Sequence, residues 1–448
     1  MTIPSSESLM DEYDPVFHSW SAQARVDRPV IAGALGSWFW DESGRQYLDL
    51  ASQLVNVNLG HQNPDLLSAV RKQSEVLCTV SPQFDNDVRT ELASLIVARA
   101  PISRGRVFFT SGGAEANENA VRLARLHTGR QKTLSSYRSY HGATAGAIAM
   151  TGDPRRWPNE PTVAGSVHFT GPYLYRSPFL SCTEIEESAR ALHHLSETIR
   201  LEGPETIAAI IVEPVVGTNG VLVPPDGYLA GIRALCDEFG IVMIADEVMT
   251  GFGRLGEWFA VDRWGVVPDL ITFAKGVNSG YVPLGGVIIS EAVAESFAER
   301  AYAGGLTYSG HPLACAPGVA SIEYIEREGI LDKVRRDGAD FLAPRLRRLA
   351  DDHPVVGDIR GAGLMWAIEL VRDRETRTPL VPFNATGEAA SPMRELGAAI
   401  MDRGAWPFIH MNRLHIVPPL TISRDDLALG IEIVDEALST VDRFAGQM

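Results

Sequence analysis

From residue 106 onward, short apolar runs alternate with stretches whose apolar positions recur every three to four residues. The runs are RVFFT (106–110), KTLSS (132–136), IAAIIVE (207–213), IVMIADE (241–247), DLITFA (269–274) and GGVIIS (285–290). Several are β-branched almost throughout, with no polar position alternating in. That is the pattern of strands buried on both faces, spaced by helices, and it predicts a parallel sheet in a doubly wound α/β domain. Ahead of it, LGSWFWDESGRQYLDL (35–50) reads as a hairpin turning at Asp41-Glu42-Ser43-Gly44, and 64–75 and 87–100 read as amphipathic helices.

After about residue 325 the texture changes. A long charged amphipathic helix (332–353) precedes a strand-like IRGAGLMWAIELV and a polar insert (372–390). A helix (392–403), a strand-like LHIVPPL and a closing helix (424–444) follow, which together predict a smaller α+β unit. The expected division is 1–65 as N-terminal arm and part of the small domain, 66–325 as the large domain, and 326–448 as the C-terminal small domain. No internal repeat or low-complexity stretch interrupts it.

Composition narrows the function classes. The chain has 448 residues, 40 Lys plus Arg and 56 Asp plus Glu, a formal net charge of −16. Such an acidic balance argues against a nucleic-acid or membrane-surface binder, but leaves room for a small anion held by local cations. The four cysteines, Cys78, Cys182, Cys236 and Cys315, form no CxxC pair, which predicts reduced thiols and no metal site. The opening MTIPSSESLMDEYD lacks the apolar region of a signal peptide, and no apolar run is long enough to span a bilayer. The expectation is a cytoplasmic protein.

Four local patterns carry chemistry. Lys275, in Phe273-Ala274-Lys275-Gly276, directly follows an apolar run, where ligands of open α/β sheets bind. It is either a solvated lysine at a loop start or an amine nucleophile with a lowered pKa. Asp246 ends another buried run, and a carboxylate there needs a partner. The protonated nitrogen of a pyridine ring is such a partner, and pyridoxal-phosphate enzymes combine it with a nucleophilic lysine. In TSGGAEANENAVRLAR a strand runs through Gly112-Gly113 into a helix, either a plain tight turn or a phosphate-binding helix N-terminus. Tyr140, in Ser139-Tyr140-His141-Gly142, is either a core aromatic or a ring lying flat on a planar cofactor.

These residues, together with VEPVVGTNGVLVPP, IADEVMTGFGRLGEWFA, PDLITFAKGVNSGYVPLGGV and GGLTYSGHPLACA, resemble the class III pyridoxal-phosphate aminotransferases in order and spacing over nearly the whole chain. FHSWSAQ and SYRSYHGATAGAIAMTGDPRRWPNEP look closest to the taurine:2-oxoglutarate subgroup of the omega-aminotransferases. The resemblance implies transferase fold type I, with a mostly parallel sheet of the seven-stranded type in the large domain. It implies pyridoxal 5'-phosphate as cofactor, with Lys275 binding it covalently and shuttling the proton, and Asp246 facing the ring nitrogen. Val248 would pack one ring face and Tyr140 the other, with His141 behind it. Gly113 and Ala114 would offer amides to the phosphate, and Glu213 would sit near the ring hydroxyl. Thr307 would reach the phosphate of a second subunit, in a homodimer or dimer of dimers.

The chain departs from the family pattern at Ala114, where a serine is common, so one phosphate hydroxyl is missing. Gln53-Leu54-Val55-Asn56 replaces a Leu-Trp pair found in pyruvate-using members, which disfavours a bulky aromatic amine. For the substrate's acid group the loop arginine Arg413 is the first candidate, with Arg155 and Arg156 next. Trp38, Leu54, Val55 and Phe84 are the remaining expected substrate contacts. The implied reaction moves an amino group from an omega-amino acid or amine donor (taurine, β-alanine or GABA-like) to a 2-oxo acid such as 2-oxoglutarate or pyruvate. A racemase, aminomutase or decarboxylase on the same fold is the alternative.

Overall fold

The computed structural model describes residues 15–25 and 28–446; the acidic opening segment read above lies outside them. Its centre is a seven-stranded sheet made of β1 (Arg106–Thr110), β2 (Lys132–Ser136), β3 (Ser166–Phe169), β4 (Ile207–Val212), β5 (Val242–Asp246), β6 (Leu270–Phe273) and β7 (Gly285–Ile289), in the order β1-β7-β6-β5-β4-β2-β3. β7 runs against both its neighbours, and the other adjacent pairs are parallel. Every residue of β4, β5, β6 and β7 is buried, as their unbroken apolar sequences predict. The carboxyl ends of β1, β5 and β6 therefore share one edge, and they deliver Ser111, Asp246 and Lys275 to it.

The flanking helices begin where short polar residues can accept from free amides. Asn63 accepts from the amide of Asp65 (3.0 Å), Asn86 from Arg89 (2.9 Å) and Ser423 from Asp426 (3.0 Å). β3 was not among the expected strands: SVHF is short and half-polar, and pairing with β2 makes it a strand.

A second sheet joins the chain ends. Strands Ile31–Leu35, Trp38–Asp41 and Gln46–Asp49 are antiparallel, and Ala405–Trp406 adds to the last in parallel. A third sheet is built on Val356–Ala362 and Met365–Asp373, a hairpin within the stretch read as one strand, turning at Gly363. The long charged helix expected over 332–353 is broken by a wider π-type turn at 337–342. Gly338 lies there against Gly363, so close that a β-carbon on it would stand 2.3 Å from the Gly363 carbonyl oxygen. Leu48, Leu50 and Leu66 pack in one core with Leu346, Leu396, Leu414 and Leu427, which ties the N-terminal hairpin to the C-terminal elements.

One titratable clamp holds that unit. Buried His353 contacts Asp442 through Nδ1 (2.7 Å) and Asp435 through Nε2 (2.6 Å). Burial disfavours its charge, but the two carboxylates prevail and raise its pKa above the ordinary 6.5. A folded-state pKa above the unfolded one gives stability that is complete below the unfolded value and lost as pH rises through the folded one. The difference in unfolding midpoint between wild type and His353→Gln should therefore be largest near pH 6 and shrink toward pH 9. A difference that does not change with pH would show that the clamp carries no charge.

Candidate active site

A cavity of about 460 Å³ opens at the carboxyl edge of the sheet, lined by residues that include Gly113, Ala114, Tyr140, Asp246, Val248 and Lys275. Most of the expected cofactor contacts thus meet in one place. Lys275 follows the end of β6 after Ala274, in a left-handed backbone conformation (φ 41°). A non-glycine residue held there is strained, and such strain concentrates at functional sites. Burial lowers its pKa, while Asp246 and Glu213 pull it upward and Arg155 lowers it further. The neutral amine is thereby more accessible than in an exposed lysine.

Asp246 is buried and held at both oxygens. The Val248 amide donates to Oδ1 (3.0 Å), and Asn117 Nδ2 donates to Oδ2 (2.8 Å). His141 Nδ1 lies 2.8 Å from the same Oδ2, so that nitrogen carries the proton. Asn117 is oriented in turn by donating to the His141 carbonyl (2.8 Å) and accepting from Thr272 Oγ1 (2.7 Å). Sequence reasoning passed over Asn117 and Thr272. The signal was there in spacing: Asn117 is one helical turn beyond Gly113, so it shares the face of the helix Gly113–Thr128 that carries Gly113.

That helix points its first turn at the cavity. The amides of Gly113 and Ala114 lie where no helical acceptor exists. Gly113 is required by crowding, since a β-carbon there would stand 2.8 Å from a Val248 methyl. Glu213 also lines the cavity and accepts from the amides of Tyr140 (2.9 Å) and Gly217 (2.8 Å). Burial, reinforced by Asp246, pushes its pKa up to about 7. Asn56, named in the sequence only as the end of the departure Gln53-Leu54-Val55-Asn56, reaches the cavity at the end of a segment in which Ser52, Gln53 and Val55 all have positive φ.

Arg155 sits over the Tyr140 ring, its guanidinium carbon 3.6 Å from the ring centroid, and its charge is felt at Lys275. Asp153 holds it, accepting from Arg155 Nε at 2.9 Å, and Asn219 donates to the same carboxylate (3.1 Å). Arg156 instead pairs with Glu160 (2.5 Å).

The structure does not bring the other expected substrate residues to this chain's cavity. Arg413 is buried behind the Gly220 loop, 3.6 Å from Glu369, because Glu369 is a buried carboxylate that gathers cations. Trp38 donates to Asp426 (3.0 Å) on the C-terminal helix, and Val55 is buried among Val215 and Val221. Leu54, Phe84 and Thr307 are exposed.

The residues present fit a phosphorylated pyridine aldehyde. A buried lysine and a carboxylate fixed at both oxygens face one cavity, and a helix N-terminus with a glycine cradle suits the phosphate. The geometry is that of a pyridoxal-phosphate enzyme. Comparison with known proteins makes the class specific. The family model for class-III aminotransferases matches residues 21–438. The taurine:2-oxoglutarate aminotransferase of Bifidobacterium kashiwanohense, solved with pyridoxal phosphate and glutamate, is 41% identical with a TM-score of 0.92, over 96% of each chain. An (S)-enantioselective omega-transaminase from Thermomicrobium roseum is 39% identical with a TM-score of 0.91, over 98% of this chain and 100% of that one. A probable aminotransferase of Mycobacterium tuberculosis is 37% identical over 86% of this chain and 83% of its own length. This chain belongs to the class-III aminotransferases: it is a pyridoxal-phosphate-dependent transaminase with the α/β fold of that family.

Proposed function

We infer that this transaminase takes its amino group from a small omega-amino acid of the taurine, β-alanine or GABA kind and passes it to a 2-oxo acid. The observation that carries the reading is Arg155, a guanidinium held by Asp153 3.6 Å from the ring centroid of Tyr140, which lines the lysine cavity, and near enough for its charge to act on Lys275. A guanidinium suits two-point capture of a carboxylate or sulfonate. The similarity to a taurine:2-oxoglutarate aminotransferase supports the same substrate class.

The bound cofactor supplies an aldehyde that accepts amino groups and a ring that withdraws electrons from the carbon next to them. Lys275 Nζ would hold the cofactor through its aldehyde carbon and, once released, would move a proton between the amine-bearing carbon of the substrate and the cofactor. The Asp246 carboxylate, fixed by Asn117, His141 and the Val248 amide, would keep a proton on the ring nitrogen. Gly113 and Ala114 would hold the phosphate through their amides, Val248 and Tyr140 would position the ring, and Glu213 would sit toward the ring hydroxyl. Thr307, exposed on its own chain, completes the phosphate site of a second copy, so the working unit is a cytoplasmic homodimer or a dimer of dimers. Leu54 and Phe84, exposed on their own chain, would shape the substrate entrance of such an assembly, whereas Trp38 and Val55 stay packed within one chain; 66–325 acts as the cofactor-binding domain between the small-domain segments 1–65 and 326–448.

A matrix of amine donors against 2-oxo acids, run on wild type and Arg155→Ala, tests the substrate reading. Charge-assisted bonds to a buried anion are worth about 1.5–3 kcal/mol, and a factor of ten corresponds to about 1.4 kcal/mol. The variant should lose roughly tenfold to a hundredfold in kcat/KM with acid-bearing donors and far less with an uncharged amine in the first half-reaction. Equal losses with both donors would assign Arg155 to the framework. Turnover without stoichiometric consumption of the 2-oxo acid would overturn the substrate scheme itself.

A further inference from the structure

Beside the lysine cavity lies a second, smaller one of about 240 Å³, at the carboxyl ends of β2 and β4, lined among others by Arg138, Tyr173, Arg176, Glu213 and Tyr228. Glu213 is common to the walls of both cavities. Three buried donors of this lining have no partner among the described residues: Arg138 Nη1, Arg176 Nη2 and Tyr228 Oη. Arg138 carries the stronger signal, because its neighbours are aromatic faces. Its guanidinium carbon lies 5.1 Å from the Tyr173 ring centroid and 5.9 Å from that of Phe383. Its backbone is held in the left-handed region (φ 71°), with its amide donating to Gly152 (3.0 Å).

The carboxylates nearby are already engaged. Glu213 takes the amides of Tyr140 and Gly217. Glu369 takes the Tyr173 hydroxyl, Arg176 Nε and Arg360 Nη2. Asp358 is bonded by Arg360 Nη1, and Glu187 by the Tyr173 amide and the Ser177 hydroxyl. Glu369 meets the charge of Arg176 at 2.6 Å, but no carboxylate among the described residues pairs with Arg138; a buried cation left so is costly, and water filling the space would satisfy its bonds without neutralising the charge. One side of the wall is apolar, with Val212, Val216, Leu222 and Leu229, while Ser136 and Thr170 add hydroxyls elsewhere. Burial keeps the Tyr228 hydroxyl protonated and therefore a donor.

We propose that this second cavity binds a short aliphatic monocarboxylate, its carboxylate held by Arg138, Arg176 and the Tyr228 hydroxyl and its carbon chain lying against the apolar wall. The site is separate from the lysine cavity and does not depend on the substrate reading given above.

The unfolding midpoint of the holoenzyme, titrated with sodium propionate against sodium chloride at constant ionic strength, tests it. A ligand that binds the folded state raises the midpoint saturably. Propionate should do so and chloride should not. The rise should persist in Arg155→Ala, which removes the anion-binding candidate of the lysine cavity. Arg138→Gln should raise the half-saturating concentration at least tenfold. Tyr228→Phe should weaken binding several-fold without lowering the midpoint of the unliganded protein, because the hydroxyl it removes has no partner. The proposal is overturned by the absence of a saturable rise, by a rise that survives both Arg138→Gln and Tyr228→Phe, by one lost in Arg155→Ala, or by an equal rise with chloride.

Discussion

Lys275→Ala should fold, melt close to wild type and lose transamination by at least about a thousandfold. The side chain supplies both a nucleophile and a proton carrier, and general acid–base catalysis alone is worth about 10²–10⁴. Its removal should cost little stability, since burial disfavours its charge more than Asp246 and Glu213 favour it, and no hydrogen bond of its ammonium is seen among the described residues. Steady-state turnover and a thermal melt on the same preparation check both halves. Visible absorbance adds a third reading: borohydride should fix the cofactor to wild type and leave the variant unlabelled. Ordinary turnover in the variant would remove Lys275 from the mechanism.

Asp246→Asn should cost at least about a hundredfold in turnover, comparable to removing one preorganised electrostatic contact. The amide is nearly the same size but cannot hold a proton on a ring nitrogen. The new amide nitrogen must face either the Val248 amide or Asn117 Nδ2, both donors, so the melt should fall modestly as well. A loss of turnover far larger than the fall in melt reports chemistry rather than folding, and Asp246→Glu, which keeps the charge, should recover part of it. Near-normal rates would mean that another acid faces the ring, and Glu213, with its pKa pushed up to about 7, would be the group to test next.

Much of the central sheet was legible in the chain because strands buried on both faces have no polar positions to spare. IAAIIV, VMIAD and LITF can be little else, and the functional side chains Asp246 and Lys275 follow them at the edge where such sheets bind ligands. The family motifs carried the cofactor. What the sequence left open depended on contacts between residues far apart in the chain. β3 is a strand only because β2 pairs with it, and the wider turn of the charged helix carries Gly338 against Gly363, in the hairpin turn of the third sheet, where a β-carbon would not fit. The choice among arginines was of the same kind. Arg155 and Arg413 are equally plausible anion ligands by residue type, but charge is local. Glu369, brought up by a strand of the third sheet, draws Arg413 into a buried cluster, while Asp153 holds Arg155 over Tyr140 at the cavity. Local sequence determined which elements form and which residues end them; the tertiary fold decided which charges meet, because a buried ion's role is set by the partners packed around it.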